Sequence, residues 1–165
     1  MEYVTTTFDR RVQIAAPVNT VWQALCRPDE VAQWDSGVHV AIDAPIDYPQ
    51  PGQRVRWQTT GTFLRVLIDE PREVIPERRL RSNLSLGPAR FDEIYTLETG
   101  AANPDIPADQ CLLHMSLTLQ IVAVPFRRSW YRHFLIDTPA SMESALASIR
   151  NHCETTPEHV FAQPE

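Results

Sequence analysis

Between residues 89 and 98, Phe91, Tyr95 and Leu97 alternate with polar residues, and Glu93 shares their parity. Residues two apart in a strand lie on one face, so Glu93 is expected to point inward with its apolar companions. A carboxyl group in such a place is poorly hydrated. Its pKa rises, and it can give or take a proton near neutrality. Tyr95 could offer its hydroxyl to an oxygen of a bound molecule, the alternative being that its ring simply packs. For Glu93 the alternatives are a bulge that turns it outward, or an Arg that satisfies it. Glu93 and Tyr95 are thus the candidate catalytic pair.

The candidate ligand-binding residues are Trp57, Phe63, Met115, Leu117, Trp130, Phe134 and Met142. Small-molecule pockets are walled mainly by apolar and aromatic side chains, although the same spacings also suit a plain core. Met115 and Met142 could adapt to ligands of different shape. Trp22 and Trp34 fit the packing of a helical corner better. Arg54, Arg56, Arg65 and Arg81 fall mostly opposite the apolar set and read as solvated charges; a bulge would have to reverse the parity to bring one inside. Arg127, Arg128 and Arg132 form too small a positive surface for nucleic acid.

Other chemistries find no residues to carry them. All fifteen cationic side chains are Arg, so neither a Schiff base nor a lysine phosphate clamp can form. No Ser–His–Asp order, phosphate loop or Gly-rich dinucleotide turn is visible. His152, Cys153 and His159 cluster near the end of the chain without the fixed geometry a metal needs; no metal and no cofactor is expected. A net charge of −6 argues against nucleic acid as the partner. Cys26, Cys111 and Cys153 are an odd, widely spaced set, which suits reduced thiols. With no basic leader at the N-terminus and no apolar run long enough to span a membrane, a cytoplasmic protein is expected.

The elements that must position these residues follow from periodicity. Alternation over 3–14 predicts a strand. Val18, Val21, Trp22 and Leu25 predict a short helix with Pro17 as its first residue, and Pro28 with Asp29 and Glu30 starts a second one. A period of two then runs to about residue 123. It is punctuated by a tight turn at Thr60-Gly61, where Gly would supply a positive φ, and by a second hairpin at Gly87-Pro88. Val38, Val40 and Ile42, then Leu64, Val66 and Ile68, are expected on strands. Residues 111–123 are the clearest strand, with Leu113, Met115, Leu117, Leu119 and Ile121 on one face. Helical spacing returns from about Pro125 to Glu154, with Pro139 either capping a second piece or kinking one long helix. One domain over residues 1–154 and a flexible polar tail over 155–165 are expected.

This order of elements, with the run VQIAAPVNTVWQALCRPDEVAQWDSGV, resembles the helix-grip fold of the START and birch-pollen-allergen-like superfamily, SRPBCC. Ile14, Ala16-Pro17, Val21-Trp22, Leu25, Pro28 and Trp34 carry the likeness, which is greatest to the polyketide cyclase/dehydrase-like branch. It implies an α+β fold: a curved antiparallel sheet of six to seven strands around a long C-terminal helix, enclosing an apolar cavity. The function it implies is the binding or carrying of a small hydrophobic or aromatic metabolite. The alternative is a polyketide cyclase or dehydratase working in the same cavity. A protein-interaction module of the chaperone-ATPase-activator kind is a further reading, which would show a filled interior and an exposed apolar patch. The expected partner is a small hydrophobic ligand, with no nucleic acid and no membrane span; a homodimer is compatible with the chain.

Overall fold

In the computed structural model, residues 3–122 and 128–155 are described. Strand β1 (Tyr3–Ile14) is followed by the short helices α1 (Val18–Cys26) and α2 (Pro28–Trp34). Six further strands come next: β2 (Val38–Ala41), β3 (Val55–Thr59), β4 (Val66–Ile75), β5 (Arg79–Leu86), β6 (Ala89–Thr99) and β7 (Cys111–Val122). The long helix α3 (Arg128–Thr155) ends the described chain. The seven strands form one sheet in the order β1-β7-β6-β5-β4-β3-β2, antiparallel throughout. This is the helix-grip α+β architecture expected from the sequence.

The local reasons are those of the sequence, with adjustments. Pro28 opens α2 at its first turn, followed by Asp29 and Glu30 beside the positive helix end. Pro17 is the N-cap of α1 rather than its first residue. The Trp34 indole donates to the Ala24 carbonyl at 2.8 Å, tying α2 to α1 in a buried corner. Gly87 takes a φ of 55° at the β5–β6 turn, a conformation that costs little only for glycine. Gly61 does not use a positive φ, because β3 and β4 are joined by the longer loop 60–65 rather than a tight turn. The Thr59 hydroxyl donates to the Leu64 carbonyl to close that loop.

Strand β4 is where the sequence reading of parity fails. Leu64, Val66 and Ile68 are spaced as one strand face, yet β4 begins only at Val66, which is exposed, while Leu67, Asp69 and Pro71 share the inner face. Val66-Leu67-Ile68 is apolar on both faces, so its period is ambiguous, and the observed register sets Leu67 against Trp57 and Leu86. Pro71 marks a bulge before Glu73. Proline cannot donate to a ladder, and central strands tolerate it mainly at such irregularities, which also bend the strand.

Helix α3 runs unbroken through Pro139, so the chain makes one helix and not two. Thr138, Met142, Leu146, Ile149 and Cys153 are buried along it at helical spacing. Its C-terminal part packs into the main core with Ile14, Val21, Leu25 and Leu113. Glu154 accepts from the Ala15 backbone at 2.8 Å, and His152 lies 3.3 Å from Glu30, so the end of α3 is fastened to β1 and α2. The tail expected to be flexible lies, beyond Thr155, outside the described residues. Among the described residues no helix is long and apolar enough to cross a membrane.

Candidate functional site

A cavity of about 600 Å³ lies between the concave face of the sheet and the first half of α3. Strand β6 brings Phe91, Glu93 and Tyr95 to its wall, β7 brings Met115 and Leu117, and α3 brings Phe134, Thr138 and Met142. The alternation of β6 is unbroken: Glu93 pairs with Ser82 on one side and Leu117 on the other, without a bulge. Phe91 and Phe134 meet edge to face, with centroids 6.1 Å apart, and join sheet to helix across the cavity. The mouth is edged by Phe63 and by the exposed His133 and Asp137.

A smaller chamber of about 70 Å³ lies behind, and Glu93 and Tyr95 line both spaces. Its polar walls are Asp35, just after α2, Tyr48 from the β2–β3 connection, Asp69 on β4 and Ser82 on β5. The Tyr48 hydroxyl donates to Asp69 Oδ2 at 2.6 Å. The other Asp69 oxygen, Oδ1, is buried with no hydrogen-bond partner. Asp35 accepts from the Gly37 N–H at 2.8 Å.

Burial dominates the electrostatics here. It pushes the Glu93 carboxyl up to about 8; Asp69 and Asp35 add repulsion, and Tyr95 opposes the shift weakly. The carboxylate is touched by cavity solvent yet ringed by protein, so its charge is poorly screened. Burial likewise raises Asp69, against the pull of the Tyr48, Ser82 and Trp57 donors, and raises Asp35 against that of Gly37. Tyr95 and Tyr48 are held well above the usual phenol range, by burial first and then by the neighbouring carboxylates. Glu93 is therefore an acid with its proton available near neutrality, and both tyrosines are neutral donors. The three cysteines are free and buried; burial pushes Cys26 to about 12, Cys111 to about 11 and Cys153 to about 12, which leaves them poor nucleophiles.

The candidate residues fall into three groups. Glu93, Tyr95, Met115, Leu117, Phe134 and Met142 converge on the large cavity. Phe63 touches it only at the mouth and is 90% exposed, because loop 60–65 stands off the sheet. Trp57 is buried and faces the inner chamber instead. Trp130 belongs to α3, but its side chain lies outside the described residues. Arg81 pairs with Asp92 at 2.8 Å, and Arg56 with Asp43 at 2.7 Å, both on the partly exposed outer surface. Among the described residues no group of His, Cys, Asp and Glu could hold a metal ion. The sequence reading missed Asp35, Tyr48 and Asp69. For Asp69 a signal existed in the strand pattern Leu67-x-Asp69-x-Pro71; Asp35 and Tyr48 sit in irregular segments that carry no period.

No curated protein matches the chain. The Zhui aromatase/cyclase from Streptomyces sp. R1128 matches its fold with a TM-score of 0.70 at 14% identity, over 92% of this chain and 94% of that one. A START superfamily protein from Mycobacterium smegmatis gives 0.65 at 13% identity, over 90% and 97%. A norcoclaurine synthase point mutant from Thalictrum flavum gives 0.62 at 12% identity, over 92% and 97%. At such identities the likeness is one of fold. The family model described as Activator of Hsp90 ATPase homolog 1-like protein matches residues 15–100, from the end of β1 through the strand that bears Glu93. With more than half of its length so matched, and with a helix-grip fold shared with START and aromatase/cyclase proteins, the chain belongs to the Activator of Hsp90 ATPase homolog 1-like protein family, within the SRPBCC superfamily.

Proposed function

We propose that this protein binds a small hydrophobic, partly aromatic metabolite in the cavity between the sheet and α3. The observation that carries the reading is the cavity itself: about 600 Å³, walled by Phe91, Met115, Leu117, Phe134 and Met142, with few polar groups. Spaces of this size and lining suit small organic ligands. Native mass spectrometry of freshly purified protein tests it, the expected result being a co-purified small molecule released on denaturation. Bare protein that also takes up no apolar aromatic compound in a binding titration would sink the reading.

A second reading has a specific observation in its favour. Glu93 stands on the cavity wall with its carboxyl held near 8 and with Tyr95 beside it. Such a pair suits proton transfer to and from a bound ligand, as a cyclase or dehydratase requires. If the co-purified molecule is converted by the protein, Glu93→Gln should abolish turnover while some ligand is still bound; undiminished turnover would exclude Glu93 as the acid or base. The protein-interaction reading has less support, since it called for a filled interior.

A further inference from the structure

The inner chamber gathers three carboxyl groups, and burial with their mutual repulsion keeps the proton on Glu93 near neutrality. Asp35, Asp69 and Glu93 reach it from the end of α2, from β4 and from β6, and among the described residues no Arg or His lines it. Every carboxylate near an Arg elsewhere in the described chain is on the partly exposed surface. Buried carboxylates without a counter-charge are costly, and they persist where something else supplies the charge. Asp69 makes the case specific. It is only 7% exposed; Tyr48 donates to its Oδ2, Ser82 and Trp57 stand near enough to favour its charged form, and yet its Oδ1 has no hydrogen bond of good geometry. An unpaired buried acceptor calls for a donor, and neighbouring carboxylates call for a positive one.

We infer that the inner chamber is the subsite for a protonated amine, so that the ligand is an apolar aromatic body ending in an ammonium group. This rests on the binding role proposed above and specifies its ligand class. An ammonium brings three donors and one charge, which answers the orphaned Asp69 oxygen and the carboxyl groups of Glu93 and Asp35 together. The chamber volume of about 70 Å³ admits an amine with a short stem and excludes a ring. The aromatic body then lies in the large cavity against Phe91 and Phe134. The same potential repels an anionic ligand, so carboxylates of similar shape are rejected. Facing Glu93 are Asp35, Asp69 and Tyr95, with Tyr48 against Asp69 and Cys26 near Tyr48, while among the described side chains of α3 the titratable ones at the cavity are His133 and Asp137, at the mouth. Among the described residues no cation lines the chamber, and arrival of an ammonium should drive the Glu93 proton out to the buffer.

Calorimetric titration of the full chain at neutral pH with naphthylethylamine, naphthylethanol and naphthylacetate tests this. The amine should bind about tenfold or more tightly than the alcohol, and the acetate more weakly than either, as expected for a desolvated charge pair. Titration of the amine in two buffers of different ionisation enthalpy should show proton release, and the alcohol should show none. Asp69→Asn and, separately, Glu93→Gln should shrink the amine-to-alcohol ratio toward one; both are near-isosteric, and melting temperatures will show that they fold. Equal binding of amine and alcohol overturns the amine subsite and leaves the binding role intact. Binding of none of the three overturns both. A preference that survives in both variants overturns the assignment to this chamber.

Discussion

A carboxyl group whose ordinary value is 4.5, held at about 8 in the fold, takes up its proton more readily when the chain is folded. The folded state therefore binds more protons than the unfolded one between those limits, and stability must fall as pH rises through that window. Below about 4.5 both states are protonated and above about 8 both are ionised, so the slope is confined to the interval between them. Asp35 and Asp69 are raised too and act in the same sense. Glu93→Gln is expected to flatten this profile and to be more stable than the parent by about 3 kcal/mol above pH 8, the shift being discounted for cavity water. Chemical denaturation at a series of pH values reads it directly; a parent protein whose stability rises from pH 5 to pH 8 would contradict the assignment. Glu93 and Tyr95 were legible in the sequence because a parity argument needs only one regular strand. Asp69 was signalled only by the pattern Leu67-x-Asp69-x-Pro71, which could not be chosen from sequence alone, since Val66-Leu67-Ile68 offers two apolar faces and only the pairing with β3 and β5 decides between them. Asp35 and Tyr48 were beyond any periodic argument, because tertiary folding alone carries a residue after α2 and a residue of a Pro-rich connection to the same chamber.

Helix α3 does two jobs along one stripe. Ile149 and Leu146 pack among Ile14, Val21 and Leu113 in the solid part of the core, whereas Met142 is equally buried but borders the cavity. Truncation should separate the two. Ile149→Ala leaves a hole that its neighbours cannot close and should cost about 3–4 kcal/mol. Met142→Ala merges its volume with space already present, loses fewer contacts, and should cost about 2 kcal/mol or less while changing the affinity for an aromatic probe. Equal losses in the two variants would mean that the helix is packed alike along its length, without a cavity. The helix itself was legible from its spacing, and so was the presence of Pro139 within it. That Pro139 leaves one helix rather than two was not, because the outcome depends on what packs around the proline, and a proline's cost of about 3 kcal/mol is within reach of tertiary contacts.

At the scale of the molecule, the seven-stranded sheet curves over a helix that it touches firmly at one end and stands away from at the other. The firm end is visible in the sequence: Ile14, Ala16-Pro17, Val21-Trp22, Leu25 and Trp34 close β1 onto two helices, and Trp34 and Ala24 are hydrogen-bonded there. The open end is not visible, because apolar residues that line a cavity and those that fill a core have the same pattern. A hollow interior gives up dispersion contacts that a solid one would make, so the unliganded protein should be less stable than its size suggests. Any molecule that enters the cavity only in the folded state must shift the unfolding equilibrium by mass action, whichever wall residues it touches. At a hundred times its dissociation constant a ligand such as naphthylethanol should add about 2.7 kcal/mol, and for a chain of this length that raises the melting temperature by about 5–10 °C. Thermal unfolding followed with and without the compound is the measurement. Because Phe91, Phe134 and Glu93 belong to elements far apart in the chain, the gain should appear as one cooperative transition displaced upward. A compound shown to bind by calorimetry that leaves the midpoint unmoved would be bound by the unfolded chain as well as by the folded one, and its binding would owe nothing to the cavity.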